Sequence, residues 1–162
     1  MPLTIERIIL SIVWLLCVVA LCLVPRHKRR EAQMSFLFMQ FVSWILGLVV
    51  VEQGWLLYPD RELQKNMTSF TFEFFAYPTV AVYLNLYYPK EKSAALRFFY
   101  ILLFPIGISV PEIFIEKYTK LIDYVTWKWY WTFLSVWVTL YLSHGFHWWY
   151  FKKGQRHRIS GM

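Results

Sequence analysis

Four glutamates lie within or at the edges of long apolar stretches: Glu52, Glu73, Glu112 and Glu116. A charge at the centre of a bilayer costs ~3 kcal/mol or more, so an intramembrane acid is rarely idle. Carboxylates gathered at one depth can hold a cation or an amine. They can also work as an acid and a base, if an apolar surround keeps a proton on one of them. If the helices that carry Glu52, Glu73 and Glu112 pack side by side, these three should approach within about 10 Å, since packed axes lie 8–10 Å apart. They should then point inward, with Tyr77 or Tyr130 as hydrogen-bond partner, because an unpaired buried carboxyl costs several kcal/mol. Glu116, a turn nearer the water, should be more exposed. Each acid also has a plainer reading. Glu73 follows Asn66, Thr68 and Ser69, all good N-caps, and can complement a helix N-terminus. Glu112 follows Pro111, as in the first turn of a restarted helix. Glu116 adjoins Lys117. Glu52 follows three valines, but its helical angle puts it well off the polar face of its own helix.

Other residue types add less. In the run W-K-W-Y-W at 127–131, Trp127, Tyr130 and Trp131 could wall a pocket for a cation; an interfacial aromatic belt is the favoured reading of them. His144 and His147 are three apart, which suits two ligands on one helix face. No cysteine or acid can be assigned to them, so they read as interfacial. Cys17 and Cys22, five apart, fall on different sides of a helix and read as small apolar residues. No metal site and no cofactor motif is recognisable. Asn66-Met67-Thr68 matches a glycosylation sequon. Nucleophile elbow, P-loop, dinucleotide fingerprint and thiol pair are all lacking.

The elements that must position these residues are hydrophobic spans. The 162-residue chain is 58% hydrophobic and 21% aromatic, more apolar surface than a soluble domain of this size can bury. Stretches of about 6–24, 35–57, 69–88, 96–116 and 128–150 match the ~20 residues that cross a ~30 Å hydrocarbon core. The fold class is therefore all-α, an integral membrane bundle of five transmembrane helices in a single domain. The first stretch lacks a basic leader and is followed by Arg26, Lys28, Arg29 and Arg30, the reverse of a signal peptide. The net charge is +7. Its basic residues fall in short runs between spans, as membrane orientation requires, so nucleic acid is not an expected partner. With the N-terminus outside and the C-terminus inside, eleven Lys and Arg lie on the inner side and six on the outer. Gln40, Ser43, Gly47 and Gly54, then Pro105, Ser109, Glu112 and Glu116, then Thr132, Ser135, Thr139 and Ser143 form three stripes that should face the bundle. Pro105, Gly107 and Pro111 should bend or break the fourth helix. The basic tail from 152 should be disordered or lie on the anionic inner leaflet.

The segments E-A-Q-M-S-F-L-F-M-Q (31–40), S-F-T-F-E-F-F-A-Y-P (69–78), N-L-Y-Y-P (85–89) and W-K-W-Y-W (127–131) resemble an uncharacterised family of small multi-pass membrane proteins of spore-forming Gram-positive bacteria. The likeness covers most of the chain. It implies a bacterial plasma membrane, where a sequon has no role, and supplies neither an activity nor a site residue. Three functions fit the sequence. One is a binding protein that holds a cation, amine or lipid headgroup at an outer-leaflet acidic and aromatic site. Another is an integral-membrane enzyme acting on a lipid-linked or isoprenoid substrate. The third is a structural subunit of a larger membrane complex. The expected partners are membrane lipids and another membrane protein or further copies of the chain.

Overall fold

The computed structural model describes residues 4–60 and 68–159, with side chains through residue 152. The apolar stretches form helices: α1 (Ile5–Cys22), α2 (Arg29–Glu52), α3 (Tyr77–Leu86), α4 (Ala94–Tyr118) and α5 (Trp129–Ile159). Three of the helical segments are long and apolar enough to cross a membrane: α1, α2 with its preceding turn, and α4. α3 is too short by itself, and α5 mixes its apolar residues with Trp, Tyr, His and a basic end. The sequon residues Asn66 and Met67 lie outside the described residues.

α3 is the centre of the bundle. Ala81, Val82 and Leu84 are fully buried, and Pro78, Thr79, Asn85 and Leu86 nearly so. A helix enclosed on all sides needs no polar face. The other four helices pack around it and turn apolar side chains outward. Leu15 and Leu16 on α1 and Phe99 and Leu103 on α4 are each more than 60% exposed. That surface would be unstable in water and is stable against lipid. Tyr83 Oη donates to Ala20 O at 2.7 Å and fastens α1 to α3.

The helices alternate in direction. One end of the bundle holds the start of α1, the end of α2, the start of α3, the end of α4 and the start of α5. There Glu6 Oε1 accepts from Lys120 N, and Asp60 N donates to Lys120 O. At the other end Lys28 Nζ donates to Leu86 O at 3.0 Å, and Glu31 lies beside His147.

Three local expectations change. α4 is one continuous helix from Ala94 to Tyr118, capped by Ser93 Oγ. Its prolines are six residues apart, each deletes one backbone bond, and the intact turns between them hold the helix together. Glu112 therefore stands in mid-helix, not in the first turn of a new one. The basic tail is helical through Ile159, since only Gly154 opposes continuation there, at a cost of ~1 kcal/mol. The loops at the α2 end contain a two-stranded antiparallel pair, β1 (Leu56–Leu57) and β2 (Asp123–Tyr124), with Leu56 opposite Tyr124. Gly54, at φ +66°, makes the turn into β1. Trp55 O then accepts from Val125, Thr126 and Trp127 backbone N–H groups.

Candidate functional site

Pro78 shapes the site through the backbone. Proline has no N–H, so nothing at position 78 can donate to Phe74 O in α geometry or to Glu73 O in π geometry. The chain answers with a π-helical turn over Phe72–Ala76, in which Tyr77 N reaches back to Phe72 O. The two orphaned carbonyls are satisfied from α2. Ser43 Oγ donates to Glu73 O at 2.6 Å, and Gln40 Nε2 donates to Phe74 O at 3.1 Å. This is why α2 carries a polar stripe at that height. Trp14 Nε1 supports the same turn from α1 by donating to Thr71 Oγ1, and its ring stacks on Phe75 at 4.3 Å. The N-capping acceptor of this helix is Ser69 Oγ, which receives Phe72 N. Glu73 is thereby free of a capping role.

The Glu73 side chain is 3% exposed and lies over Gly47 of α2. A Cβ at position 47 would overlap the carboxyl group, so the glycine supplies the space that the acid occupies. Tyr58 Oη donates to Glu73 Oε1 at 3.2 Å, and Thr68 faces the same carboxyl. Oε2 is buried without a hydrogen-bond partner among the described residues.

Glu112, on α4, is satisfied very differently. Tyr124 Oη and Thr132 Oγ1 donate to Oε1 at 2.7 and 2.9 Å, and Tyr77 Oη donates to Oε2 at 3.2 Å. Trp127 Nε1 in turn donates to Thr132 Oγ1 at 2.8 Å and orients that hydroxyl proton toward the acid. Three O–H donors on one carboxyl match an ionised, acceptor-only group. The two strands bring the lid tyrosines in: β2 holds Tyr124 over Glu112, and Tyr58 follows β1 onto Glu73. Burial first, and then the neighbouring acid, push the Tyr58 and Tyr124 hydroxyls well above the ordinary tyrosine range. Both remain proton donors at any physiological pH.

Glu73, Glu112, Tyr58, Tyr77, Thr132 and Trp127 share the wall of a cavity of about 80 Å³. It continues toward the bundle centre past Ser135 and Thr139. Since one water needs about 10–15 Å³ by this measure, the cavity has room for a few waters or one small cation. No Lys, Arg or His lines it among the described residues.

The sequence-predicted residues divide into two groups. Glu73, Tyr77, Glu112 and Trp127 come together on this cavity. Glu52 does not: it is exposed at the last position of α2 while Val51 beside it is buried. Five residues separate it from Gly47, a rotation of ~140° at 3.6 residues per turn, which takes it to the outer face. Glu116 is half-exposed, one turn beyond Glu112, and has no place on the cavity. Tyr130 and Trp131 are 43% and 47% exposed, so neither walls the cavity nor bonds an acid. Their rings belong to the aromatic belt, where Trp131 lies 6.3 Å from Trp127. Tyr58 and Tyr124 were not legible as site residues, because a pairing between loops some 65 positions apart delivers them.

The histidines lie between helices, His147 buried and His144 half-buried. His147 is 4% exposed, with Nε2 3.6 Å from Glu31 Oε2. His144 Nδ1 meets Asn85 Oδ1 at 3.0 Å, and its ring stacks against Tyr88. Asn85 Nδ2 donates to Ser35 Oγ and Ser143 Oγ, each at 3.2 Å. Glu31 and Asn85 come from other helices, so spacing along α5 could not reveal them. Cys17 is buried, Cys22 is exposed, and both are free.

No family model, curated protein or solved structure matches the chain.

Proposed function

We propose that this chain is a five-pass membrane protein, N-terminus outside, whose outer-half cavity binds a small cation between Glu73 and Glu112. The observation that carries this reading is the unequal satisfaction of two acids on the wall of one pocket. Glu112 is saturated with hydroxyl donors. Glu73 presents an oxygen without a hydrogen-bond partner beside it, and no Lys, Arg or His lines the cavity among the described residues. Two such acids repel unless a cation or proton lies with them. The ligand atoms are all oxygens, which suits hard monovalent ions and small ammonium ions. At about 80 Å³ the cavity favours these over a lipid headgroup or an isoprenyl chain. A bacterial plasma membrane, which the resemblance of the chain implies, is part of this proposal.

Thermal unfolding of the purified chain in lipid nanodiscs tests this, at constant ionic strength in sodium, potassium, methylammonium or choline chloride. A ligand bound only by the folded state stabilises by ~2.7 kcal/mol at one hundred times its dissociation constant. At least one small cation should raise the midpoint relative to choline, the bulkiest of the four. Glu73→Gln should abolish the increment and Glu52→Gln should leave it intact. Equal midpoints in all four salts would sink the proposal.

A further inference from the structure

Polar side chains continue below the cavity along one face of α5. Thr132, Ser135, Thr139, Ser143 and His147 follow one another at three- and four-residue steps. Fifteen residues at 1.5 Å each carry that line ~22 Å, through most of a ~30 Å hydrocarbon core. All but Ser135 are nearly fully buried. Packing alone asks for small residues on such a face, not for a buried polar atom without a hydrogen bond at either end. Yet among the described residues Glu73 Oε2 is buried without a hydrogen bond at the outer end, and His147 Nε2 is buried without one at the inner end, 3.6 Å from Glu31 Oε2. Unsatisfied polar atoms at that depth cost ~1–3 kcal/mol each, and proton-relay sites are where such atoms are kept.

We propose that this column carries protons between the glutamate cavity and the His147–Glu31 pair, and that the chain is a proton-conducting membrane protein. The proposal rests on the cation-site reading, with the proton as the ion that moves. A proton from outer water is taken up on Glu73, which Tyr58, Thr68 and the Glu112 charge face. Waters in the cavity bring it past Thr132 and Ser135 to Thr139. Below Thr139 the fully buried Met39, Leu84 and Leu140 close the interior. Thr139 and Ser143 are one turn apart, ~6 Å along the axis, a gap that a single transient water bridges. A metal ion would have to shed its water to cross there, whereas a proton moves by relay.

Beyond the gap, Ser143 belongs to the Asn85 cluster. Because both Asn85 N–H groups go to serines, Asn85 Oδ1 must accept from His144, which fixes the His144 proton on Nδ1 and leaves Nε2 to accept. His147 lies one turn further, with Glu31, His144 and Lys90 as the charged and titratable groups around it. Glu31, with 39% of its side chain exposed, releases the proton to the inner water.

The full chain in liposomes loaded with a pH-sensitive dye provides the test, with a potassium diffusion potential set by valinomycin as the driving force. Proton flux should exceed that of empty vesicles several-fold. Glu73→Gln and His147→Gln should each lower it at least tenfold, Ser143→Val likewise, and Met39→Ser should raise it. Glu52→Gln should change nothing. Each variant is first checked for a single gel-filtration peak and wild-type helical circular dichroism. Wild-type flux equal to that of empty vesicles overturns the pathway, as does a folded His147→Gln variant that conducts normally. If flux is absent while the cation-dependent midpoint shift persists, the pathway fails and the site stands. If both are absent, both fail.

Discussion

At the scale of residues, the site depends on a missing side chain as much as on those present. Gly47 makes room for the Glu73 carboxyl, and any β-carbon there must displace it. Gly47→Ala should therefore destabilise the protein by the ~1–3 kcal/mol typical of overpacking, and should reduce the cation-dependent rise in the unfolding midpoint. Glu73→Ala removes the obstructing group, so the double variant should be more stable than the sum of the two single effects predicts. Neighbours that clash are non-additive in this way, and residues without contact are not. Strict additivity in a double-mutant cycle of unfolding midpoints would show that the two side chains do not share the space. A glycine in a stripe of small residues was legible in the sequence as close packing, but what it admits was not. The same limit applied to the acids. Helical angle already separated Glu52 from the polar face of α2, whereas the difference between Glu73 and Glu112 arises from hydroxyls on other elements.

At the scale of elements, Pro78 is the residue that converts sequence into geometry. Five apolar runs were enough to place five helices, but not their lengths: α3 keeps only Tyr77–Leu86 of its run, and α5 continues past its run to Ile159. That the least uniform run would become the central helix was not legible, since enclosure depends on how its neighbours pack. The π turn lies between these cases: the sequence shows the proline, but only the structure shows Ser43 and Gln40 taking up the freed carbonyls. Restoring an N–H at this position should reverse the arrangement. In Pro78→Ala the new donor can bond Phe74 O, and alanine favours an α-helical interior by ~3 kcal/mol over proline. Loss of the π turn shifts the register by one residue, which rotates Glu73 by ~100° away from Gly47. Pro78→Ala should thus fold with equal or greater thermal stability and lose the cation response. Keeping the full response would mean that the π turn does not position the acid.

At the scale of the whole molecule, the two ends of the bundle differ in build. The end with β1 and β2 is closed by paired loops, two inward-facing tyrosines and the acid cavity. The other carries the positive turn Arg26–Lys28, the cluster around Asn85 and the basic end of α5. Contacts at both ends set the five helices in alternating directions, so if all five span, the side of one terminus fixes every loop. Retention of Lys and Arg on the inner side is the strongest determinant of that choice. Eleven of the seventeen lie at the α5 end of the bundle, counted by their positions between helices. The bundle should therefore stand with its N-terminus and its acid cavity outside and the end of α5 inside. Fusions of alkaline phosphatase, active only outside, and of green fluorescent protein, fluorescent only inside, can be placed at residue 1 and at residue 162. Phosphatase activity at the first and fluorescence at the second are the expected pair. The inverted pair would move the acid cavity to the cytoplasmic half and reverse the direction assigned to the proton column. Both termini on one side would be incompatible with an odd number of crossings, and would require either α3 with its π turn or the polar α5 to lie within the bundle without spanning it.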